Sequence, residues 1–304
     1  MSAADFIPPG FTLGERLGSG QTAVVWLADH HSFGRVALKL PRAEVHVQPV
    51  LRRMFENEVQ ITLSLRHPNL VAGLAGHPTG PGAYLALEHC AGGPLEPAGV
   101  TQAATAISYI LDVAAGLEAS HAHQVLHRDV KPNNVFLTGD GSAKLGDFGT
   151  GCYMTDENPD RVGTAFYMAP EIFEGKPATP ASDIYSLGIL AYELLTGVRP
   201  FSGDTYEQLL HAHTSTLPRP MHAHVPELPR EIAAVVGRAM SREAGRRQPT
   251  VTKFREELEA ASGEKRHPTI IETGRATRQP AADGDGEAGA RKRRGLFAWL
   301  RRRG

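Results

Sequence analysis

The feature that most constrains this chain is a series of polar segments at fixed spacing in its middle third. Asn134 follows Asp129 by five residues, and the segment that begins at Asp147 follows Asp129 by 18. A glycine-containing segment, 163–168, precedes the last member of the series. In chain order the series reads His127-Arg128-Asp129, Asn134, Asp147-Phe148-Gly149 and Ala169-Pro170-Glu171. Asp, Asn and His side chains are concentrated in these segments, which makes the segments candidates for a chemical site.

A second group of residues lies nearer the start of the chain. Residues 11–40 are predicted to form strands broken by glycines, and glycines such as Gly18 and Gly20 let backbone N–H groups approach an anion closely. A simple glycine hairpin explains that segment equally well. Lys39 lies on a predicted strand, 36–40. Glu58 interrupts the apolar stripe of a predicted helix, 50–65, where a buried carboxylate needs a cationic partner. An exposed lysine and an unrelated glutamate are the alternative, but a Lys39–Glu58 pair facing phosphate oxygens explains both positions.

The periodicity divides the chain into a strand-rich front and a helix-rich back. Strands are predicted at 24–27, 36–40 and 84–88, and a helix over 50–65. Further helices are predicted over 103–123, 184–196, 232–240 and 252–261. From residue 263 the composition is typical of a flexible tail. We therefore expect an N-terminal extension (1–10), an α+β domain (11–262) and a basic tail (263–304).

The chain resembles the eukaryotic-type (Hanks-type) serine/threonine protein kinases, which occur in bacteria as well as eukaryotes. The order and spacing of the motifs are those of that family. They comprise the segment with Gly18 and Gly20 (the glycine segment), Lys39 on its strand, Glu58 on its helix, and the segments that begin at His127, Asp147 and Ala169. The resemblance implies a bilobal fold, with a small antiparallel-sheet N-lobe (11–88) that has one key helix and a larger, mainly helical C-lobe (89–262). It also implies transfer of the γ-phosphate of ATP, with Mg²⁺ or Mn²⁺, to Ser and Thr hydroxyls of proteins, including the kinase itself. Richness in Ala, Gly and Arg favours a bacterial source.

The resemblance also implies roles for individual residues. Asp129 corresponds to the catalytic base, and Lys131 to a lysine that contacts the transferring phosphate. Lys39, held by Glu58, corresponds to the lysine on the α- and β-phosphates. Asn134 and Asp147 correspond to the metal ligands, since their oxygens suit Mg²⁺. The implied nucleotide-binding positions are Leu17, Gly18, Gly20, Val25, Ala37, Lys39, Leu87, Glu88, Cys90 and Leu137. For the apolar members of this set, ordinary core packing is the alternative.

Three further positions are implied to be structural and three regulatory. Glu171 is expected to pair with Arg246, with Arg247 as the alternative, and Asp183 to brace the catalytic loop. Arg128, next to Asp129, implies activation by a phosphate on the following loop. We expect Thr155 to be that phosphorylation site, although acidic neighbours would repel a phosphate. Thr164 is expected to contact Asp129 and Lys131.

Charge and composition exclude several other classes of protein. The net charge is −1, so the chain as a whole is no specific nucleic-acid binder. Residues 263–304 hold 11 Lys and Arg against 5 Asp and Glu. Within the segment 291–304, an apolar pentad flanked by basic residues is consistent with peripheral contact with an anionic membrane, or with a solvated basic tail. Two cysteines and the absence of a signal sequence favour the cytoplasm, and a lipid-binding tail would add a peripheral location at the inner membrane face.

Two other functions remain to be compared with a protein kinase. A pseudokinase would bind nucleotide without catalysis, but Lys39, Glu58, Asp129, Asn134 and Asp147 are all present. A small-molecule phosphotransferase of similar fold would share the Asp-to-Asn spacing but usually lacks the segment 163–171. Protein substrates, and dimers that phosphorylate each other, are therefore expected partners.

Overall fold

The computed structural model describes residues 6–155 and 164–264, which form two parts joined near residue 88. The first part contains five strands and two helices. The strands are β1 (Phe11–Ser19), β2 (Ala23–His30), β3 (Gly34–Pro41), β4 (Gly73–His77) and β5 (Tyr84–Glu88). The helices, which lie between β3 and β4, are α1 (Ala43–Val47) and α2 (Pro49–Ser64).

The strands of the first part form one antiparallel sheet in the order β1-β2-β3-β5-β4. In β3 the alternation of side chains places Leu38 at the centre of an apolar cluster on one face, while Lys39 points to the other face. Helix α2 buries Phe55, Glu58 and Thr62 along one stripe. Glu58 is therefore buried, as expected, and α2 brings it towards β3, the strand that carries Lys39.

The second part is mainly helical. Its longer helices are α3 (Ala103–Ala122), α5 (Pro180–Thr196), α6 (Tyr206–Ser215), α7 (Arg230–Ala239) and α8 (Val251–Ser262), with a short α4 (Pro170–Phe173). The short strands β6 (Gly93–Pro94), β7 (Val125–Leu126), β8 (Val135–Leu137), β9 (Ala143–Leu145) and β10 (Cys152–Tyr153) border the polar segments of the sequence. Helix α5 is buried along most of its length and forms the centre of the larger core. The loops between the short strands thus rest on a rigid helical base.

This architecture confirms the predicted bilobal α+β class. The predicted helices appear within a few residues of their expected bounds, but α5 begins four residues earlier than expected. Thr179 and Ser182 form a capping box there, and Pro180 occupies the first turn. These polar residues extend the helix beyond its apolar stripe, which the periodicity alone could not indicate. Helix α1, directly before α2, was not predicted either.

The expected pairing of Glu171 with Arg246 is wrong. Arg247 Nη1 and Nη2 donate to Glu171 Oε1 and Oε2 at 2.7 and 2.8 Å, and the Arg247 side chain is fully buried. Arg247 also donates to the backbone carbonyls of Ser241, Ala181 and Arg242. Arg246 instead extends outwards and pairs with Glu243. The two neighbours differ because residues 244–246 form a 3-10 turn, after which the chain extends and points Arg247 inwards.

We predict that Arg247→Ala lowers the free energy of unfolding by about 3 kcal/mol, because the half-buried carboxylate of Glu171 keeps only its hydrogen bond from Ser182 and three carbonyls lose the Arg247 donor. Arg246→Ala is the matched control and should change the free energy of unfolding by less than about 0.5 kcal/mol, since its ion pair is exposed. Chemical denaturation of the two variants measures both values. Equal effects would contradict the assignment of Arg247 as the buried partner.

Candidate active site

The first group of site residues is centred on the Lys39 ammonium. Lys39 Nζ donates to a carboxylate oxygen of Glu58 and to Asp147 Oδ1, the latter at 3.0 Å. β3 supplies the lysine, α2 supplies Glu58, and the loop after β9 supplies Asp147. Asp147 has φ 63°, a left-handed conformation that is uncommon outside glycine, and this turns its carboxylate towards Lys39. The structure thus brings the predicted pair together and adds Asp147 to it.

Burial and charge act in opposite directions on these three groups. Burial opposes the charge of Lys39, but the carboxylates of Asp147 and Glu58 outweigh it and raise the pKa of the lysine. The Lys39 ammonium holds the pKa of Asp147 well below its usual range. Burial raises the pKa of Glu58 to about 7, despite the nearby lysine. The more exposed carboxylate, Asp147, is therefore the one that carries a firm negative charge into the cleft.

The second group surrounds Asp129. Lys131 Nζ lies 2.6 Å from Asp129 Oδ2, and Thr164 N donates to Asp129 Oδ1 at 2.9 Å. Lys131 Nζ also donates to Thr164 Oγ1 at 2.6 Å. Asn134 Nδ2 donates to the backbone oxygen of Asp129 at 2.8 Å and to Oδ2 at 3.0 Å. Four residues that the sequence predicted for one site therefore share a single hydrogen-bond network.

The loop that carries Asp129 is held from below by Asp183 on α5. Asp183 Oδ2 accepts from His127 N at 2.9 Å, and Oδ1 accepts from Arg128 N at 2.8 Å. His121 Nε2 lies 2.8 Å from Asp183 Oδ2. These contacts lower the pKa of Asp183 although burial opposes them. They also maintain Arg128 at φ 68°, a strained conformation that a non-glycine residue keeps only when its surroundings determine it.

The two groups are joined through the backbone and through His127. Gly146 N donates to Asn134 O at 2.8 Å, and His127 Nε2 lies 2.9 Å from Gly146 O. Asp129 N donates to His127 Nδ1, so the imidazole carries its proton on Nε2 and donates it to Gly146. The ring of Phe148 packs against the His127 ring with centroids 4.7 Å apart. Asp129, Asn134 and Asp147 are therefore parts of one rigid arrangement.

The apolar candidates for a nucleotide base lie where the two parts join. Ala37 is the strand partner of Leu87, and Val25 is the partner of Lys39. Leu137 on β8 pairs with Gly93, just after the connecting segment. Val25, Ala37, Leu87 and Leu137 are half-buried, whereas Leu17 is 43% exposed at the rim. Burial also raises the pKa of the Cys90 thiol to about 11, so Cys90 is an uncharged member of this segment.

The side chain of Glu88 has a role that the sequence did not indicate. Its Oε1 accepts from Ala72 N at 2.7 Å, and both of its oxygens accept from Lys144 Nζ at 2.7 and 2.8 Å. Lys144 lies on β9, three residues before Asp147. Glu88 therefore links the segment between the lobes to the strand that leads into the Asp147 loop.

Arg42 is a second contact that sequence reasoning missed. It follows β3, and its Nε donates to Gly20 O at 2.9 Å while its Nη2 donates to Ser19 Oγ. Its backbone N–H donates to Thr22 O at 2.8 Å. A Cβ added at Gly18 would meet no atom of the described residues within 4 Å, so the glycine segment has open space beside it. Arg42 holds one side of the segment while the other side stays accessible.

The predicted regulatory residues are only partly described. Thr164 lies in the Asp129 network, Arg128 lies beside it, and Thr155 is exposed at the end of the described part of its loop. Residues 156–163 lie outside the described residues, and so does the tail from 265 onwards, including 291–304. Phosphorylation at Thr155 therefore stays a prediction.

The residues present fit a divalent metal and a triphosphate. The amide nitrogen of Asn134 is engaged by Asp129, which leaves its carbonyl oxygen as the free end of the side chain. Asp147 provides an exposed, ionised carboxylate. Two oxygen ligands suit Mg²⁺, which takes its remaining ligands from phosphates and water. Among residues 6–155 and 164–264 there is no cluster of three or more His, Cys, Asp or Glu side chains that could hold a metal ion.

Comparison with known proteins identifies the family. The family model described as "Protein kinase domain" matches residues 11–276, which is most of the chain. The chain belongs to the protein kinase family, as the fold and the polar segments predicted.

Its relatives include bacterial serine/threonine kinases. It is 32% identical over 279 residues to "Serine/threonine-protein kinase PknB" of Mycolicibacterium smegmatis, a match that covers 85% of this chain and 44% of the relative. It is 35% identical over 266 residues to "Serine/threonine-protein kinase Pkn1" of Myxococcus xanthus, covering 84% of this chain and 38% of the relative. The chain thus spans less than half the length of these relatives. Within the described residues, no helix combines the length and apolarity needed to span a bilayer.

We predict that Arg42→Ala raises the KM for ATP roughly fivefold, because the glycine segment loses two of its anchoring hydrogen bonds. The thermal midpoint of unfolding should stay nearly constant, since Arg42 is only partly buried and its side-chain contacts lie at the surface. Steady-state kinetics with varied ATP measure the effect, and Arg42→Lys should restore part of it through one remaining donor. A KM for ATP that does not change in Arg42→Ala would show that the contact is incidental.

Proposed function

We propose that this chain is an ATP- and Mg²⁺-dependent serine/threonine protein kinase. The observation that carries the proposal is the convergence of Lys39, Glu58 and Asp147 from one side with Asp129 and Asn134 from the other. Phosphoryl transfer depends on alignment and on neutralising charge, and these five groups supply both. The printed names of the relatives support the same activity.

Asp129 is the residue that orients the attacking hydroxyl. Its Oδ2 is held by Lys131 and Asn134, and its Oδ1 by Thr164 N, so the carboxylate has one orientation. A Ser or Thr hydroxyl of the substrate would donate its hydrogen bond to this carboxylate and lose its proton to it as the new P–O bond forms and the bond to ADP breaks. Lys131 then lies next to the oxygen that accepts the phosphoryl group, where its charge stabilises the transferring oxygens.

Lys39, Asn134 and Asp147 hold the nucleotide. Lys39 lies on the strand beneath the glycine segment, where its ammonium suits the α- and β-phosphates, and Glu58 keeps it there. Gly18 and Gly20 supply backbone N–H groups to the phosphates. Asn134 and Asp147 would hold a Mg²⁺, whose charge would neutralise that of the triphosphate. Val25, Ala37, Leu87 and Leu137 line the place for the adenine, and the backbone of Glu88 and Cys90 faces its edge.

The residues favour catalysis over the alternatives. A pseudokinase would not need Asp129 held by three separate donors, and the network around it is complete. A small-molecule phosphotransferase would not need the segment 163–171, whose Thr164 docks onto Asp129 and Lys131. This segment lies where a peptide would approach the acceptor site, so protein substrates are favoured.

Regulation and partners are proposed from position. A phosphate on Thr155, paired with Arg128, would order the loop between residues 147 and 171. Autophosphorylation between two copies of the chain is the simplest source of that phosphate. The oxygen ligands suit Mn²⁺ as well as Mg²⁺. The low cysteine content supports a reducing compartment, so we propose a cytoplasmic location.

We predict that Asp129→Asn lowers kcat at least 100-fold, because the carboxylate that accepts the hydroxyl proton is lost while the size of the side chain is kept. Lys39→Ala should abolish transfer as well. The assay follows phosphate incorporation into a general protein substrate with labelled ATP and Mg²⁺.

The exposed Asp204→Asn is the control and should retain full activity. Thermal unfolding of each variant shows that the fold is intact. Turnover at the wild-type level in both Asp129→Asn and Lys39→Ala would refute the proposed function.

The tail offers a second, separate proposal. Leu296-Phe297-Ala298-Trp299-Leu300 lies between basic clusters, and we infer that it binds anionic lipid at a membrane surface. In a co-sedimentation assay, the full chain should pellet with vesicles that contain phosphatidylserine. A chain that ends at residue 290 should stay in the supernatant. Equal sedimentation of both chains would leave only a solvated basic tail.

A further inference from the structure

The segment that docks onto Asp129 carries an aromatic ring with a cation on its face. The guanidinium carbon of Arg199 lies 3.8 Å from the centroid of the Phe166 ring, the distance of a stacked cation–π contact. Arg199 is exposed in the turn after α5, and Phe166 is half-buried in the 3-10 turn Ala165–Tyr167. The ring therefore fixes the position of a charge that would otherwise move freely in solvent.

This stack lies close to the phosphate-transfer site. Thr164, which donates to Asp129, is only two residues before Phe166, so their Cα atoms are within about 8 Å. Tyr167 OH donates to Glu193 Oε2 at 2.5 Å, which ties the segment to α5. Burial and Glu193 raise the pKa of the Tyr167 hydroxyl, and the charges of Arg199 and Asp129 both act on the same hydroxyl. Arg199 and Asp129 thus both lie near Tyr167 and border one small surface patch.

Among the residues that the structure describes, 6–155 and 164–264, the Arg199 guanidinium is stacked and has no carboxylate within ion-pair distance. The preceding helix α5 carries Glu193, and Glu193 is engaged by the Tyr167 hydroxyl. A guanidinium that stacks on a ring keeps the N–H donors along its edge available for a carboxylate. The surface therefore offers an acidic group two or more directed hydrogen bonds.

We propose that Arg199, positioned by Phe166, selects protein substrates that carry an Asp or Glu side chain within four residues of the acceptor Ser or Thr. The inference rests on the proposed kinase function and names its substrate class. An extended peptide advances about 3.3 Å per residue, so a side chain at that spacing spans the distance from Asp129 to the stack. A basic residue at the same place is disfavoured by repulsion, which sharpens the choice.

The contact is exposed, so its effect on specificity is modest and sensitive to salt. We expect the kcat/KM of an acidic peptide to exceed that of its lysine counterpart roughly fivefold to tenfold at low ionic strength. The ratio should shrink as salt is raised to about 0.5 M, where charges are screened within a few ångströms. A preference for shape or hydrophobicity would not respond to salt in this way.

The experiment uses the full chain and a peptide set. Each peptide has one acceptor Ser, with Glu, Ala or Lys at single positions from −4 to +4, and kcat/KM is measured for each. The wild type should favour Glu over Lys at one or two positions on one side of the acceptor. Arg199→Glu should reverse that preference at the same positions, and Phe166→Ala should weaken it while the charge of Arg199 remains.

Arg230→Glu is the matched control. It makes the same change of charge on α7, an element that packs against α5 and α8, and it should leave the preference of the wild type unchanged. If Arg199→Glu keeps the wild-type preference, or the control reverses it too, the inference is wrong. If no peptide is phosphorylated and the chain does not phosphorylate any protein, the proposed function fails instead, so the two failures are distinguishable.

Discussion

The contact on which the site depends is the buried ammonium of Lys39, because it is shared by carboxylates from two separate elements. β3, α2 and the loop after β9 come from different parts of the chain, and their charged side chains meet at this nitrogen. Two carboxylates face one cation, so the three groups together carry an excess negative charge when all are ionised. Burial affects the pKa values of the two carboxylates unequally. Glu58 is inside and has a raised pKa, whereas Asp147 is nearer solvent and has a lowered one. The negative charge therefore lies on the side where a metal would bind.

In the helical lobe, one buried aspartate fixes the backbone that positions the reacting group. Asp183 takes the N–H groups of two consecutive residues, His127 and Arg128, and this forces the backbone into a strained turn. The strain costs about 1–3 kcal/mol, which is offset by charge-assisted hydrogen bonds to a buried carboxylate. The result is that Asp129 leaves the turn in one direction only. A loop with ordinary backbone angles would place the same side chain less reliably, so here the strain serves the position of a reacting group.

Much of this arrangement follows from the sequence, and the reasons are physical. Glu58 on an apolar stripe required a buried cation, and Lys39 on the inward face of a strand was the available one. The choice between Arg246 and Arg247 could not be made in the same way, because adjacent residues have the same chemistry and a single 3-10 turn decides which of them faces inwards. Arg42 and the side chain of Glu88 carried no sequence signal either. Both act through backbone groups of residues that are distant in the chain, and only the fold brings those groups within reach.

The contacts between the lobes explain why these separate pieces are held in register. Glu88 accepts from Ala72 N, just before β4, and from Lys144 on β9. Asn69 Nδ2 donates to Ala143 O at 3.0 Å. The backbones of Val71 and Leu145 also bond at 2.9 Å. The segment after α2 is thereby fixed to the strand that leads to Asp147. Because α2 carries Glu58, any movement of this helix relative to Asp147 must break polar contacts at this junction or at Lys39. The position of the ammonium between its two carboxylates is thus determined by the contact at Glu58 within the helix and by the contacts of the segment that follows the helix.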